Sequence, residues 1–301
     1  MRKFAVSLVA LATVISSVAA FAPRGVSSRC GAKSFVVETT STGAGYTEPF
    51  STFTTNLKAS TSEEEDGSFL SDLQINPPYA MAYLGFLGFA YLMTTIEAPG
   101  ASQEILEKFL ADPVNPGVNE LFASIFNLLG LAAFPLACLV MPGAKFQKPV
   151  PAAPFLLGGV FAGYGSIGIL MSTRKSAPEV SKEDLGWVTK NVLENKIANW
   201  IVAGVALSTF YSTGFIAGIL DNAAGQIQGY SELLTTTAIA SASSCDLAIL
   251  TLTAASLIPE DLKRRGMTDS GKANAIAAST ILLPIVGATI YCALRPSLPE
   301  E

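Results

Sequence analysis

Apolar runs of about 20 residues recur along this chain, each about the length that crosses a bilayer as a helix. They are Tyr79–Ile96, Leu121–Met141, Ala152–Ser172, Ile197–Leu220, Leu233–Ile258 and Ala273–Leu294. In hydrocarbon a backbone must satisfy its own N–H and C=O groups, so such segments are expected to be helical. The composition agrees. Half the residues are hydrophobic, 14% are charged, and mean hydropathy is +0.44, against about 25% charge in ordinary soluble domains. The expected fold is all-α, a polytopic membrane helix bundle of about six transmembrane helices over 77–296.

Breaks between the runs follow local chemistry. Pro77-Pro78 opens the first run, and Pro142-Gly143, Pro259 and Arg295-Pro296 close the second, fifth and sixth. Pro135 is expected to kink the second. Residues 102–110, "SQEILEKFL", place Ile105, Leu106, Phe109 and Leu110 on one helical face and predict a short surface helix. In the charged loop Thr173–Lys196, Ser181 is a candidate N-cap ahead of Glu183 and Asp184. Leu185, Val188, Val192 and Leu193 then follow at helical spacing, predicting an amphipathic helix near Trp187 and Trp200. No internal repeat is evident in the sequence.

The start of the chain has a different character. Arg2 and Lys3 precede an apolar stretch to Val18, and Ala19-Ala20 offers a small-residue cleavage site, the layout of a signal peptide over 1–20. Residues 21–45 carry Arg24, Arg29, Lys33 and several Ser with no acid before Glu38, as organelle transit peptides do. The junction Ala20-Phe21-Ala22-Pro23 resembles that of the bipartite presequences of heterokont (diatom-type) plastid proteins. Residues 46–76, polar and ending near the acidic cluster Glu63-Glu64-Glu65-Asp66, are expected to be a disordered tail.

Several chemistries are bounded by composition. The chain has no His, so His-ligated haem, His-containing zinc or copper sites and His general bases are excluded. A net charge of -5 without a basic stripe points away from nucleic acid. Cys138, Cys245 and Cys292 sit singly in apolar runs, with no CxxC pair, and read as small buried hydrophobes. No metal site, cofactor or catalytic residue is indicated.

Asp246 is the sharpest candidate site residue. It lies in the fifth run, thirteen positions before Pro259, or about 20 Å along a helix. Intramembrane carboxylates are costly and mark ion or proton handling by default. The competing reading is a structural polar contact with Ser241, Ser243, Ser244 or Thr251. Asn127 is the other polar residue inside a run, open to an ion site or an interhelical hydrogen bond. Gly159 with Gly163, and Gly214 with Gly218, are small-xxx-small pairs expected to pack helices closely. Lys263, Arg264 and Arg265 suit anionic-lipid contact or a topological anchor, with Glu260 and Asp261 as partial local neutralisation.

With six spans, loops one, three and five carry Lys108, Arg174, Lys175, Lys182, Lys190, Lys196, Lys263, Arg264, Arg265 and Lys272. The other loops carry Lys145, Lys148 and Arg295. Positive charge then places the odd loops on the insertion side, the stroma in a plastid, and both termini opposite.

The segments "NELFASIFNLLGLAAFPLACLVMPG" (119–143), Asp246 with "PEDLKRRG" (259–266), and "LPIVGATIYCALRP" (283–296) resemble a little-characterised family of polytopic membrane proteins of cyanobacteria and plastids. That resemblance implies a photosynthetic membrane and no catalytic activity. Three functions stay open. The first is a structural or assembly role in a thylakoid or inner plastid membrane, with lipid and a photosystem or other membrane complex as partners. The second is an ion or small-solute transporter or channel using Asp246. The third is a membrane-embedded enzyme of pigment or lipid metabolism.

Overall fold

The computed structural model describes residues 73–300 apart from Lys148 and Pro178. The expected signal peptide, transit peptide and most of the acidic tail lie outside the described residues. Those described form helices and connecting loops: α1 Pro77–Ile96, α2 Ala101–Ala111, α3 Glu120–Val140, α4 Ala152–Ala162, α5 Tyr164–Thr173, α6 Lys196–Ser212, α7 Phe215–Thr236, α8 Ala238–Arg264, α9 Ser270–Ile281 and α10 Val286–Leu294. The all-α expectation holds for them.

Three of the six apolar runs are continuous. Pro77–Ile96, Glu120–Phe146 (α3 with its following 3₁₀ turn) and Ala238–Arg264 are each long and apolar enough to cross a membrane. A fourth span exists if α6 and α7, bent by 47°, are taken as one. α3 runs through Pro135. α8 runs through Pro259, which the sequence suggested would end it. Beyond that proline the last turn is held by side-chain pairs four residues apart, Glu260–Arg264 and Asp261–Arg265.

The other three runs break, and two of them fold back on themselves. In a straight helix, residues eight apart are separated by about 12 Å. Yet a Cβ placed on Gly158 would lie 2.5 Å from Ser166 Oγ, and one on Gly159 would lie 2.5 Å from Ile167. Ser166 Oγ also donates to Phe155 O at 2.8 Å. α4 and α5 are therefore a helical hairpin turning at Gly163, whose φ of 51° and ψ of -131° suit glycine alone. α9 and α10 make a second hairpin, in which a Cβ on Gly287 would lie 2.7 Å from Thr280 Cα. Its tip passes through Ile285 at φ 61°, a rare conformation for a β-branched residue. The third break, at Gly214 (φ 77°), lets α6 end and α7 turn aside, with a further kink at Asn222.

These hairpins fix which element ends lie together. Asn76, before α1, donates its backbone N–H to Ser172 O at 2.7 Å and its side-chain amide to Arg174 O, at the end of α5. Gln147, before α4, donates to Thr173 O at 3.1 Å, so α4 enters and α5 leaves at the same end. Arg264 reaches Leu139 O at the end of α3, and Arg295, after α10, reaches Cys138 O. At the opposite end Glu97 accepts from Ala238 N at 2.8 Å, and Asn119 donates to Gln226 O. Four helices thus run end to end (α1, α3, α6, α8), both hairpins start and finish at the arginine end, and α2 and α7 sit at the other.

The order helix, end helix, helix, hairpin therefore occurs twice, as α1-α2-α3-(α4-α5) and α6-α7-α8-(α9-α10). Packing repeats with it. α1 packs on α5 as α6 does on α10, α3 on α4 as α8 on α9, α1 on α8 as α6 on α3, and α2 on α8 as α7 on α3. α3 and α8 pack against each other at the centre. Both halves start at the same end, so the described residues form a parallel structural repeat rather than an inverted one.

Candidate functional site

Asp246 is the ninth of the 27 residues of α8, the most buried of the long helices, and is 7% exposed. Its Oδ1 accepts the backbone N–H of Tyr164 at 2.8 Å. Its Oδ2 lies against Gly163, where any Cβ would overlap the carboxylate. The carboxyl group thus closes on the N-terminus of α5 at the tip of the first hairpin. The N–H groups of a first helical turn lack intrahelical partners and carry partial positive charge, so the placement is electrostatically favourable. An ionised carboxylate has room for about four hydrogen bonds; here one protein donor approaches it. Its titratable neighbours are Tyr164 on α5, with Tyr79 on α1 beyond it, and Cys245 on α8 itself. The sequence-suggested serine and threonine partners do not hold it. Ser244 is engaged by Tyr230 at 2.8 Å, and Thr251 donates to Leu247 O.

The second hairpin shows that this carboxylate is not required to make the turn. Counted from the N-caps Asn119 of α3 and Thr237 of α8, the position equivalent to Asp246 is Leu128, which is buried. That hairpin closes with its own backbone, Val286 N–H donating to Pro284 O at 2.6 Å and Gly287 N–H to Leu283 O at 2.7 Å.

The second concentration of charge is the arginine end. Arg174 makes a two-point contact with Glu260 at 2.9 and 2.5 Å, and Arg264 pairs with the same carboxylate. Arg265 bridges Asp261 at 2.9 Å and Glu194 at 2.9 and 3.0 Å. Arg295 joins Glu194 at 2.8 Å and Asp261 at 3.3 Å, and Tyr291 Oη donates to Asp261 at 2.7 Å. Four guanidinium groups face three carboxylates, and main-chain carbonyls take up the excess positive charge. Arg264 Nη1 donates to Leu139 O at 2.8 Å and Arg295 Nη1 to Cys138 O at 2.9 Å. These are last-turn carbonyls of α3, the negative end of its dipole. Burial works against the Arg295 charge, but Asp261 above all, with Glu194, more than compensates and holds its pKa above the ordinary arginine value.

This arrangement corrects the expectation of lipid contact for the basic triplet. Arg264 and Arg265 are 3% and 9% exposed and spent on buried ion pairs; of the three, Lys263 alone is exposed. Arg174, Arg295 and Glu194 were not singled out from the sequence. The available signal was positional, since each arginine directly follows the returning helix of a hairpin.

Other candidates separate. Asn127 donates to Pro113 O at 3.0 Å, tying α3 to the loop before it, and it shares no hydrogen bond with Asp246. Gly159 is a packing position, against Ile167 and, at 3.9 Å, Ala133 of α3. Gly163 is the hairpin turn. Gly214 and Gly218 do not form a helix-packing face, because Gly214 lies at the break between α6 and α7, while Gly218 faces the Gln226 side chain within α7. Of the surface helix, Ile105 and Phe109 are buried while Leu106 and Leu110 face outward. Ser181 is the N-cap expected, of a 3₁₀ turn, Lys182–Asp184, with Asp184 Oδ2 accepting its backbone N–H at 3.4 Å; the helix expected after it is a short segment from Trp187 that ends as a π turn, Thr189–Leu193.

Two cavities open elsewhere. One of about 570 Å³ at the arginine end is lined by Lys182, Lys190, Glu194, Lys196 and Arg295, among others. One of about 600 Å³ is largely apolar and lies along α9 and α10. Neither is lined by Asp246. Among the described residues no group of three or more Cys, Asp or Glu is placed to hold a metal ion. Comparison with protein-family models, with curated proteins and with solved structures finds no match.

Proposed function

We propose that this chain is an integral membrane protein whose Asp246 centre handles a proton or a small monovalent cation. In the proposed topology α1, α3, α6 and α8 cross the bilayer and both hairpins are re-entrant. The outward faces support a lipid setting: Leu84, Leu157, Phe161, Ile201, Leu220 and Leu282 are all well exposed. Lys108 is the only described Lys or Arg at the end opposite the arginines, so the arginine end belongs on the side from which insertion occurs. This replaces the orientation drawn from six alternating spans. Both termini of the bundle now share the basic side, because each hairpin turns back instead of crossing. Trp187 and Trp200, exposed near that end, suit the interface.

The observation that carries the functional reading is the unequal pair of hairpins. One turns without a carboxylate opposite its tip; the other meets a buried acid. A structural cap needs only an acceptor, and a neutral side chain would supply one at lower cost. The leader's likeness to heterokont presequences supports a plastid membrane. A structural or assembly role there, beside a photosystem or another complex, is the rival reading.

A flux assay separates them. Asp246→Asn keeps an oxygen acceptor for Tyr164 N–H, so normal abundance and folding are expected. Proton or cation flux in proteoliposomes under an imposed gradient is expected to fall at least about tenfold. Equal flux through wild-type and Asp246→Asn protein would remove the transport reading and leave the assembly one.

A further inference from the structure

We infer that the two cavities beside α10 are the two halves of one site, which holds a membrane lipid by its anionic headgroup and one acyl chain. This rests on the membrane setting proposed above and is independent of Asp246.

Arg295 and Pro296, which directly follow α10, line both cavities. Pro296 O accepts from Arg265. Arg295 is spent on Asp261, Glu194 and the carbonyls of Cys138 and Leu193. The shared wall is therefore held from within, and Arg295 brings no free charge to a ligand.

Free charge comes from the segment before α6. Lys182, Lys190 and Lys196 line the first cavity together with Glu183, Glu194 and Glu300. Glu194 is held by Arg265 and Arg295, and Lys182 pairs with Glu300 at 2.5 Å. Among the described residues Lys190 and Lys196 make no ion pair, and neither does Glu183. The lining keeps a positive excess, at the end where headgroups lie in the proposed topology. Two ammonium groups act there as point charges for a phosphate or sulfonate.

The second cavity runs away from that end. Leu262 and Met267 line it near the end of α8, Ile276 along α9, and Leu282 and Leu283 at the hairpin tip. Its hydroxyl groups are already bonded. Ser279 Oγ donates to Ile276 O, Thr280 Oγ1 to Ala277 O and Tyr291 Oη to Asp261, each at 2.7 Å. Water would find few partners along such a wall, whereas an alkyl chain needs none. α9 has 12 residues, or about 18 Å of helix, close to one leaflet of a hydrocarbon core about 30 Å thick. A chain anchored at the basic end therefore reaches the tip. Free phosphate would leave the apolar half unfilled, and a lipid without net charge would leave the lysines unanswered. An anionic lipid satisfies both.

Native mass spectrometry of the full chain in detergent, titrated with phosphatidylglycerol, tests the site. Phosphatidylcholine with the same acyl chains and inorganic phosphate are the comparison probes. One phosphatidylglycerol is expected to stay bound, about tenfold more tightly than phosphatidylcholine. Lys190→Ala with Lys196→Ala should weaken it about tenfold or more. Lys263→Ala with Lys272→Ala, the same loss of charge away from the cavity, should not. All four lysines are exposed, so folding is expected to be normal, with thermal unfolding as the check. Ser279→Trp fills the apolar half from an exposed position. It should weaken long-chain phosphatidylglycerol about tenfold and spare a short-chain form. The lysine pairs decide the matter should that variant fail to fold. Equal retention of the two lipids, equal losses in the two lysine pairs, or binding of phosphate alone would overturn the site. A chain that needs detergent but shows no lipid preference removes the site and leaves the membrane setting. A chain that stays in solution without detergent removes both.

Discussion

Asp261→Ala is expected to be among the most destabilising single substitutions in this protein. Asp261 is fully buried and holds Arg265, Arg295 and the Tyr291 hydroxyl. Removing it leaves Glu194 opposite two guanidinium groups away from water. Breaking a buried pair by deleting one partner costs about 3–5 kcal/mol, much of it for the stranded charge, against a total stability of about 5–15 kcal/mol. The cluster also joins the ends of α3, α8 and α10 to the loop before α6, so the loss is not local. Thermal unfolding in detergent should show a large fall in Tm, or no folded material. Lys263→Ala next to it should change stability by less than about 0.5 kcal/mol, because its side chain is exposed. Similar Tm values for the two variants would contradict the assignment of the network.

Gly163→Ala should be comparably severe for a different reason. A Cβ there collides with the Asp246 carboxylate, and the backbone conformation itself costs about 1–3 kcal/mol for a residue with a side chain. The hairpin must open or Asp246 must leave its place, so both stability and flux are expected to fall. Gly163→Ala combined with Asp246→Ala removes the collision but not the strain. The double variant should therefore recover part of the lost stability, an interaction of the size seen for residues in contact, about 0.5–3 kcal/mol. Strictly additive effects on Tm would mean the two groups are not in contact.

The apolar runs gave the helical class and most helix positions, because hydrophobicity and Pro or Gly breaks are local properties. They could not separate a crossing from a hairpin. Ala152–Ser172 and Ala273–Leu294 are each about the length of a span, and only the backbone at Gly163 and Ile285 shows that they turn back. The orientation drawn from six spans depends on them, since in the proposed topology each hairpin returns to the side it left. Asp246 was legible as an acid in an apolar run, but its partner, a backbone N–H 82 residues away, leaves no trace in composition. The basic triplet misled because burial of Arg264 and Arg265 depends on carboxylates and carbonyls brought by other helices.

Cysteine accessibility in sealed vesicles tests the central topology most directly. With Cys30, Cys138, Cys245 and Cys292 replaced, single reporters Lys108→Cys, Lys145→Cys and Lys272→Cys would be challenged with a membrane-impermeant maleimide. With two re-entrant hairpins, the reporters at 145 and 272 react from one side and the reporter at 108 from the other. Six alternating spans require positions 108 and 272 to react together and 145 from the opposite side; that pattern would contradict the arrangement that brings Asp246 to a hairpin tip.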